Sequence, residues 1–544
     1  MKPFDAAGKF HPTGAVGEFR RRAVRSAGVT VISQGVVFAI QMIATVVLAR
    51  LLMPADFGVV TMVTTFSLLI MGFGQNGYSE AVIQRDDIDQ SLASNLFWIN
   101  VSTGLLLTLC FAASGSLIAR FYGDPRVAHI AIGMSLTILL NSTSVLHLAL
   151  LKRALHFSVT SANDIFSSLT SVVAMILLAW RGWGYWALVA GAVIRLFIQS
   201  AGAWYLCRWI PRLPSRATGT ASVVRFALNV YGRFSFNYLT RNTDNLLVGW
   251  RFGSSSLGFY KKAYDLFLLP ANQLSAPVSD VVLSTLSRLE RGSAQYKRYF
   301  LNGLSILAFV GMGAGAGLTL VGKDLIRLLL GSKWEEAGQI FTLFGPGIGI
   351  MLIYTTSGVI HLSIGRADRW FRWVVVEFSV TVLLFLVGLH WGPAGVAAAW
   401  TASFWLLTIP AFWYAGRPIK FGVGPVLATV WRYVLASLLA GCASAAIARE
   451  IPPLVTASGA VGAVVRIITI SLVFSGLYIG GVILLHGGAE PLYRLGSLLP
   501  DIVHWNKSSN PPLTPEGVTV GSPEPQIDCV AAPETPGLVR EEAG

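Results

Sequence analysis

The chain has 544 residues, of which 54% are hydrophobic and only 12% are charged, and its mean hydropathy is +0.62. This composition excludes a water-soluble globular protein, because apolar runs of about 18 residues or more recur and each can cross a bilayer as a helix. The runs are continuous, which excludes transmembrane β-strands with their alternating apolar and polar side chains. Basic loops beside anionic lipid account for most of the net charge of +14 without a nucleic-acid partner.

The apolar runs predict an all-α polytopic membrane protein with about fourteen transmembrane helices. A basic segment, 1–27, precedes them, an inter-lobe loop, 207–223, separates two six-helix halves, and the Pro-rich segment 487–544 is predicted to be disordered. The predicted helices lie near 28–49, 57–78, 93–116, 127–149, 161–180, 184–206, 224–250, 257–286, 299–321, 337–364, 370–389, 393–415, 424–448 and 459–485.

Lys and Arg are unevenly distributed between the two sets of loops, and cytoplasmic loops are the ones that keep positive charge. If the N-terminus is cytoplasmic, most of these cations lie on the cytoplasmic side. Both termini are therefore predicted to be cytoplasmic. The loops of the opposite side keep a smaller set of cations, namely Arg50, Arg120, Arg126, Arg181, Arg251, Lys323, Arg327, Lys333 and Arg449.

The cysteines give no sign of a metal site. Cys110, Cys207, Cys442 and Cys529 are far apart, without a CxxC pair or a neighbouring His at ligand spacing. His147 also stands alone, and we interpret it as a buried interior histidine. Neither a metal nor a cofactor is predicted.

A polar stripe follows the seventh predicted helix. Its residues recur at steps of three or four, so they share one face of the helix, and the eighth helix continues the pattern. Charged groups in a membrane are costly, and by default they line a cavity and serve a function. The stripe consists of Asn229, Arg233, Asn237, Thr240, Arg241 and Asp244, continued by Lys261, Asp265, Asn272, Ser275 and Ser279.

Two interpretations of the stripe stay open. In the first, Arg233, Arg241 and Lys261 bind an anionic headgroup, because the planar Arg fork suits phosphate, and the amides and hydroxyls bond sugar hydroxyls. In the second, Arg241 with Asp244 and Lys261 with Asp265 neutralise each other as structural pairs.

Other polar residues within the predicted spans widen the candidate site. Arg195 is a candidate phosphate contact, and Asp164 and Glu377, together with Asp244 and Asp265, are candidate protonatable groups for ion coupling. Asp164 also lies near a helix end, where it could snorkel or cap the helix. Gln34 and Gln41 share one face of the first helix, where they either line the cavity or bond a neighbouring helix. Arg466 is interpreted as structural.

Two segments of the chain share a pattern of Arg, a short turn and a Gly that opens the next helix. One runs from Arg50 to Gly58 and the other from Arg251 to Tyr260. The six-helix offset gives both halves the same orientation, as expected for halves related by an axis along the membrane normal.

Longer strings carry a family resemblance. They are LARLLMPADFGVV (48–60), GYSEAVIQRDD (77–87), LFWINVSTGLLL (96–107), IARFYGDPRV (118–127), RFGSSSLGFYKKAYDLFLLP (251–270), LSRLERG (286–292) and WGPAGVAAAW (391–400). With these strings the chain resembles the Wzx-type polysaccharide flippases, in the exopolysaccharide and colanic-acid exporter branch of the multidrug/oligosaccharidyl-lipid/polysaccharide exporter superfamily.

The resemblance implies two six-helix lobes in pseudo-twofold relation around a central cavity, with two accessory helices at 424–485 and a cytoplasmic tail. It also implies a flippase in the bacterial inner membrane. By alternating access it would carry undecaprenyl-diphosphate-linked repeat units for exopolysaccharide or lipopolysaccharide synthesis. Membrane lipids and a polysaccharide polymerase with its assembly machinery are the implied partners.

The sequence argues against two other functional classes. A membrane polymerase or glycosyltransferase needs a sizeable loop with catalytic carboxylates, whereas the predicted loops are about 20 residues or shorter, so a transporter and not an enzyme is predicted. A drug or cation antiporter of the same superfamily would need an acidic or aromatic cavity, whereas the predicted seam carries three cations, Arg233, Arg241 and Lys261.

Overall fold

The computed structural model describes residues 3–5, 8–10, 16–85, 88–215, 220–450 and 459–489. In these residues the regular structure is helical, apart from isolated bridges that pair Phe4 with Phe10 and Lys9 with Asp89. The predicted tail falls almost wholly outside the described part of the chain, as does Cys529.

The helices follow one another with short connections. They are α1 (Val16–Leu51), α2 (Pro54–Gly72), α3 (Ser79–Gln84), α4 (Gln90–Tyr122), α5 (Arg126–Arg153), α6 (Phe157–Trp180), α7 (Tyr185–Cys207), α8 (Thr220–Leu286), α9 (Ala294–Leu330), α10 (Glu335–Ser363), α11 (Ala367–Gly388), α12 (Gly392–Gly416), α13 (Val423–Glu450) and α14 (Gly459–His486). A π-helical turn, Phe73–Tyr78, joins α2 to α3, and 3₁₀ turns occupy Ser332–Trp334, Leu389–Trp391 and Arg417–Ile419.

Eleven described helical segments are long and apolar enough to cross a membrane, so the predicted class of an all-α polytopic membrane protein is confirmed. The predicted count of fourteen is not confirmed. The stretch Asp368–Ile419 counts as one segment, although Gly392 turns the chain within it at φ 75°. The long helix α8 is not among the eleven.

Helix α8 contains the predicted seventh and eighth helices. Gly253, at φ 79° and ψ −174°, interrupts it, and this left-handed conformation is one that glycine adopts without a Cβ clash. The break lies in the loop predicted between 250 and 257. At the other end of the chain, α1 begins at Val16, so the predicted basic N-terminal segment ending at residue 27 is partly helical.

Glycines allow several helices to touch backbone to backbone. A Cβ on Gly58 of α2 would lie 1.7 Å from the Ser254 carbonyl oxygen, and one on Gly258 of α8 would lie 1.9 Å from the Pro54 carbonyl oxygen. Such contacts exclude any larger residue, as is common where membrane helices cross closely. Helix α2 therefore packs tightly against the part of α8 that directly follows the break at Gly253.

The accessory helix α14 is fixed to α9 by an ion pair. The Arg466 guanidinium donates from Nε and Nη2 to the two Asp324 carboxylate oxygens, at 2.9 and 2.6 Å. A two-point arginine–carboxylate bond fixes direction as well as distance. This geometry agrees with the structural interpretation of Arg466.

Candidate functional site

A cavity of about 260 Å³ opens among α8, α10, α11 and α12. Its walls combine charged, amide, hydroxyl and aromatic side chains. The lining residues with polar or aromatic side chains are Asn237, Thr240, Arg241, Asp244, Tyr264, Tyr354, Thr355, Ser357, Trp370, Trp373, Glu377, Thr381, Phe385, Trp400, Ser403 and Phe404.

Helix α8 supplies one wall through the predicted polar stripe. Asn237, Thr240, Arg241 and Asp244 all line the cavity, as their spacing along one helix face predicts. Asn237 and Arg241 are exposed to the cavity space, whereas Asp244 is buried. The side chains of Asn229 and Arg233, earlier in the stripe, lie outside the described part of the structure.

The buried Asp244 carboxylate is held by groups other than Arg241. The Tyr260 hydroxyl donates to Asp244 Oδ2 at 2.8 Å, and the backbone N–H of Asn245 donates to Oδ1 at 2.8 Å. Among the described residues no ion pair joins Arg241 to a carboxylate. The structure therefore does not contain the predicted Arg241–Asp244 pair, and the guanidinium is free to contact a ligand.

Helix α11 brings a second carboxylate to the same cavity. Glu377 lines it opposite the stripe, and the Tyr354 hydroxyl of α10 interacts with the Glu377 carboxylate. Trp373 Nε1 in turn donates to the Tyr354 hydroxyl oxygen at 2.8 Å. This chain of hydrogen bonds fixes the orientation of both rings beside the acid.

Aromatic rings form much of the remaining surface. Trp370 and Trp373 come from α11, and Tyr264 meets Trp400 edge to face, with ring centroids 5.9 Å apart. Rings of this kind offer flat apolar faces, and tyrosine and tryptophan add a polar edge. Together with Arg241, the cavity can hold an anionic group beside a ring that carries hydroxyls, because a guanidinium bonds two oxygens at once.

Several other predicted site residues lie elsewhere. Lys261 Nζ bonds Asp265 Oδ1 at 2.6 Å, so this predicted structural pair is present and neither residue lines the cavity. Arg195 of α7 pairs with Asp164 of α6 at 3.2 Å. These two residues, proposed above for separate roles, therefore act as partners in the described structure.

The glutamines of α1 do not reach the cavity either. Gln34 and Gln41 are both exposed along the helix, and neither lines the cavity. The side chains of Asn272, Ser275 and Ser279 lie outside the described residues. Among the stripe residues whose side chains are described, Asn237, Thr240, Arg241 and Asp244 line the candidate site.

The sequence did not predict two features of this region. Lys262 Nζ lies 4.3 Å from the centroid of the Phe57 ring, so this cation reaches from α8 to α2. The aromatic wall also went unpredicted. The spacing of Trp370 and Trp373 puts both on one face of α11, but aromatic pairs at this spacing usually belong to a packed core.

Sequence comparisons agree with the predicted resemblance. A family model described as "Polysaccharide biosynthesis protein" matches residues 47–339. The chain is 22% identical to the succinoglycan biosynthesis transport protein ExoT of Rhizobium meliloti (strain 1021), over 66% of this chain and 73% of that protein. It is 20% identical to the lipopolysaccharide biosynthesis protein WzxC of Escherichia coli (strain K12), over 72% and 79% of the two chains.

A third relative is the teichuronic acid biosynthesis protein TuaB of Bacillus subtilis (strain 168), with 26% identity over 57% of this chain. The match spans 64% of TuaB, which is less than two thirds of its length. ExoT, which is named as a transport protein, agrees with the prediction of a transporter and not an enzyme.

Solved structures show the same fold. The lipid II flippase MurJ in an inward closed conformation aligns with a TM-score of 0.66 at 15% identity, over 85% of this chain and all of that one. An inward-facing multidrug resistance transporter of the MATE family aligns with a TM-score of 0.54 at 12% identity, over 72% and 98%. The predicted exporter-superfamily fold is therefore confirmed.

Proposed function

We propose, because this chain belongs to the family of polysaccharide biosynthesis proteins, that it flips an undecaprenyl-diphosphate-linked oligosaccharide across the bacterial inner membrane. The cargo is a repeat unit for exopolysaccharide or lipopolysaccharide synthesis. In this proposal both termini are cytoplasmic, and residues 28–206 and 224–415 form two lobes that alternate in access. Segment 424–485 forms the accessory helices. A polysaccharide polymerase and its assembly machinery receive the product.

The observation that carries the proposal is Arg241 in the second-lobe cavity. The headgroup of such a lipid combines a diphosphate with sugar rings, and neither crosses hydrocarbon without a polar path. Arg241 lines the cavity without a described carboxylate partner, beside the amide of Asn237 and the rings of Trp370 and Trp373. These groups match the phosphate, the hydroxyls and the ring faces of the headgroup.

The size of the cavity limits what it holds. At about 260 Å³ it is smaller than the roughly 300–1,000 Å³ of pockets that enclose drug-sized ligands. It therefore holds one part of the headgroup at a time. We assign to it the phosphate and the adjoining sugar, while the prenyl chain stays in lipid.

A cation antiporter is the second candidate function, and one observation favours it. The described lining of the cavity contains two carboxylates, Asp244 and Glu377, and one cation, Arg241, and it is rich in aromatic rings. Acidic and aromatic walls suit an organic cation. In the flippase proposal the same two carboxylates serve as the groups that couple headgroup movement to protons or sodium.

A reconstitution experiment separates the two functions. The purified full chain is placed in vesicles that contain an undecaprenyl-diphosphate-linked oligosaccharide, and a membrane-impermeant lectin reports how much headgroup has changed leaflet. Arg241→Ala is expected to slow flipping roughly tenfold, the effect of losing a bond between charged groups. The flipping rate of Arg241→Lys is expected to lie between those of the wild type and Arg241→Ala, because lysine keeps the charge but cannot bond two oxygens in the planar geometry of arginine.

Arg449→Ala is the matched control, because Arg449 is exposed at the end of α13 and does not line the cavity. If the Arg241→Ala variant flips the lipid at the wild-type rate, the assigned site is wrong. If the wild-type protein flips the lipid no faster than protein-free vesicles do, and it takes up a cationic dye driven by protons, the antiporter function is correct and the flippase function is not.

A further inference from the structure

A second pocket, rich in positive charge, lies where α1 and α9 end. It has a volume of about 360 Å³, and among its ten lining residues three are cations and none is an acid. We call it the α1–α9 basic pocket. Its lining residues are Arg50, Arg327, Leu328, Leu330, Gly331, Ser332, Lys333, Gly459, Ala460 and Ala463.

The position of these cations is unusual for a membrane protein. Arg50, Arg327 and Lys333 all belong to the loops that the charge distribution predicts to be extracytoplasmic. Such loops are depleted of Lys and Arg in proteins of this kind. Membrane topology therefore does not explain why three cations lie in one pocket of that face. Binding of an anionic ligand does explain it.

Arg50 forms a fixed wall of the pocket. Its Nη2 donates to the Leu328 carbonyl oxygen at 2.7 Å and its Nε to the Leu329 carbonyl oxygen at 3.3 Å. These are terminal carbonyls of α9, which lack partners within the helix. The Trp334 indole donates to the Ala49 carbonyl oxygen at 2.8 Å. The pocket is thus preorganised between the end of α1 and the start of α10.

The other two cations are available to a ligand. Arg327 and Lys333 are exposed, and no described ion pair involves either of them. Lys333 Nζ makes one long contact, 3.5 Å, to the Arg50 carbonyl oxygen. Both side chains keep most of their donors free.

Nearby acids do not neutralise the pocket. Glu335 and Glu336 in the first turn of α10 are exposed and do not line it. Asp324, one helical turn before Arg327, is bonded to Arg466 through both carboxylate oxygens. The charge of the pocket therefore stays positive and calls for an anion.

The surroundings of the pocket point to a lipid as the carrier of that anion. Its third wall is the first turn of α14, from Gly459 to Ala463. An apolar pocket of about 310 Å³ lies between α1 and α9 and is lined among others by Phe38, Met42, Leu325 and Leu329. Leu329 lies between Leu328 and Leu330, which line the basic pocket, so the two pockets adjoin. Acyl chains can pack in the apolar pocket beside a bound phosphate, whereas a soluble anion gains nothing from it.

We infer that the α1–α9 basic pocket binds the phosphate of a membrane lipid headgroup. Arg327 and Lys333 bond the phosphate oxygens, Arg50 bounds the site, and the acyl chains occupy the adjoining apolar pocket between α1 and α9. The bound lipid joins α1 to the α9–α10 turn and to α14. This inference does not depend on the cargo proposed above.

Native mass spectrometry of the purified full chain in detergent tests the inference. Phosphatidylglycerol is titrated against the wild type, against Arg327→Ala/Lys333→Ala and against the single Arg327→Gln variant. The double variant is expected to bind roughly tenfold more weakly, as for the loss of charge-assisted bonds to phosphate. Arg449→Ala, which removes an exposed cation outside the pocket, is expected to bind like the wild type.

Any one of four results would overturn the inference. Binding of diacylglycerol with the same acyl chains as tightly as phosphatidylglycerol would mean that the phosphate is not recognised. An equal loss of binding in Arg449→Ala would mean a general charge effect. Displacement of phosphatidylglycerol by millimolar inorganic phosphate would make the ligand a free anion. If the double variant is aggregated by size-exclusion chromatography, Arg327→Gln decides, and unchanged binding by that variant rejects the site.

Discussion

Gly58 and Gly258 each lie against the backbone of the other's helix. A Cβ on Gly58 would meet the Ser254 carbonyl oxygen at 1.7 Å, and one on Gly258 would meet the Pro54 carbonyl oxygen at 1.9 Å. Ser254 and Pro54 each lie one helical turn before the partner glycine, so the contact is reciprocal. Such reciprocity is what the predicted pseudo-twofold relation between the two repeated segments would produce.

Substitution of either glycine should weaken the packing of α2 against α8. Gly58→Ala and Gly258→Ala each place a methyl group where a carbonyl oxygen now lies, so α2 and α8 must separate, at about 1–3 kcal/mol for such overpacking. Each variant is expected to unfold at a lower temperature in detergent, measured by tryptophan fluorescence. Gly232→Ala, also on α8, is the control, because its Cβ would meet nothing within 4 Å. Equal melting of all three variants would contradict a tight crossing.

The separation of α2 from α8 in these variants can be measured directly. A cysteine at Ser254 should react faster with a membrane-impermeant maleimide when Gly58 is replaced by Ala, because the methyl group displaces the Ser254 backbone. The cysteines that are exposed in the described part of the chain, Cys110 and Cys442, and Cys529 of the tail are first replaced by serine. An unchanged labelling rate would show that the helices absorb the methyl group without separating.

The sequence predicts the helical class and the composition of the stripe on α8 because both depend on local periodicity. Apolar runs and three- or four-residue steps are visible without knowledge of neighbours. For the same reason the cavity wall formed by Asn237, Thr240, Arg241 and Asp244 could be predicted.

The partners of these residues depend on tertiary packing and could not be predicted. Asp244 bonds Tyr260 across the break at Gly253, whereas the sequence suggested Arg241, its neighbour on the helix face. Arg195 and Asp164 were assigned separate roles because nothing local shows that α6 and α7 bring them within 3.2 Å. Tertiary contacts also decided which aromatic residues line a cavity and which fill the core.

The pair of Lys261 and Asp265 allows its structural and functional interpretations to be separated. With Nζ and Oδ1 2.6 Å apart, each single variant, Lys261→Gln or Asp265→Asn, leaves one charge without its partner and is expected to slow flipping. The double variant removes both charges together and is expected to recover most of the activity. Flipping rates at matched protein levels provide the measurement. A double variant as slow as Lys261→Gln would instead mean that Lys261 contacts the headgroup.

The hydrogen bond from Tyr260 to Asp244 is predicted to stabilise α8 across the break at Gly253. Tyr260→Phe removes the donor 2.8 Å from Oδ2 and leaves a carboxylate oxygen buried without it, which costs about 1–3 kcal/mol. The variant is expected to melt at a lower temperature than the wild type. Tyr205→Phe, at a position 71% exposed, is the control and should melt like the wild type. Equal melting of both variants would mean that Asp244 finds another donor.

The ion pair of Arg466 and Asp324 is predicted to hold α14 against α9. Arg466→Ala leaves the Asp324 carboxylate without either of its bonds at 2.6 and 2.9 Å, so the accessory helix should loosen. Arg466→Lys is expected to recover only part of the stability, because an ammonium cannot make the two-point bond. Protease resistance of α14 in detergent and the unfolding temperature are the two measurements. The exchanged variant Arg466→Asp/Asp324→Arg tests the pair itself. Its stability is expected to recover toward that of the wild type, because the attraction survives the exchange. A further loss of stability would mean that α14 is held by its apolar contacts alone.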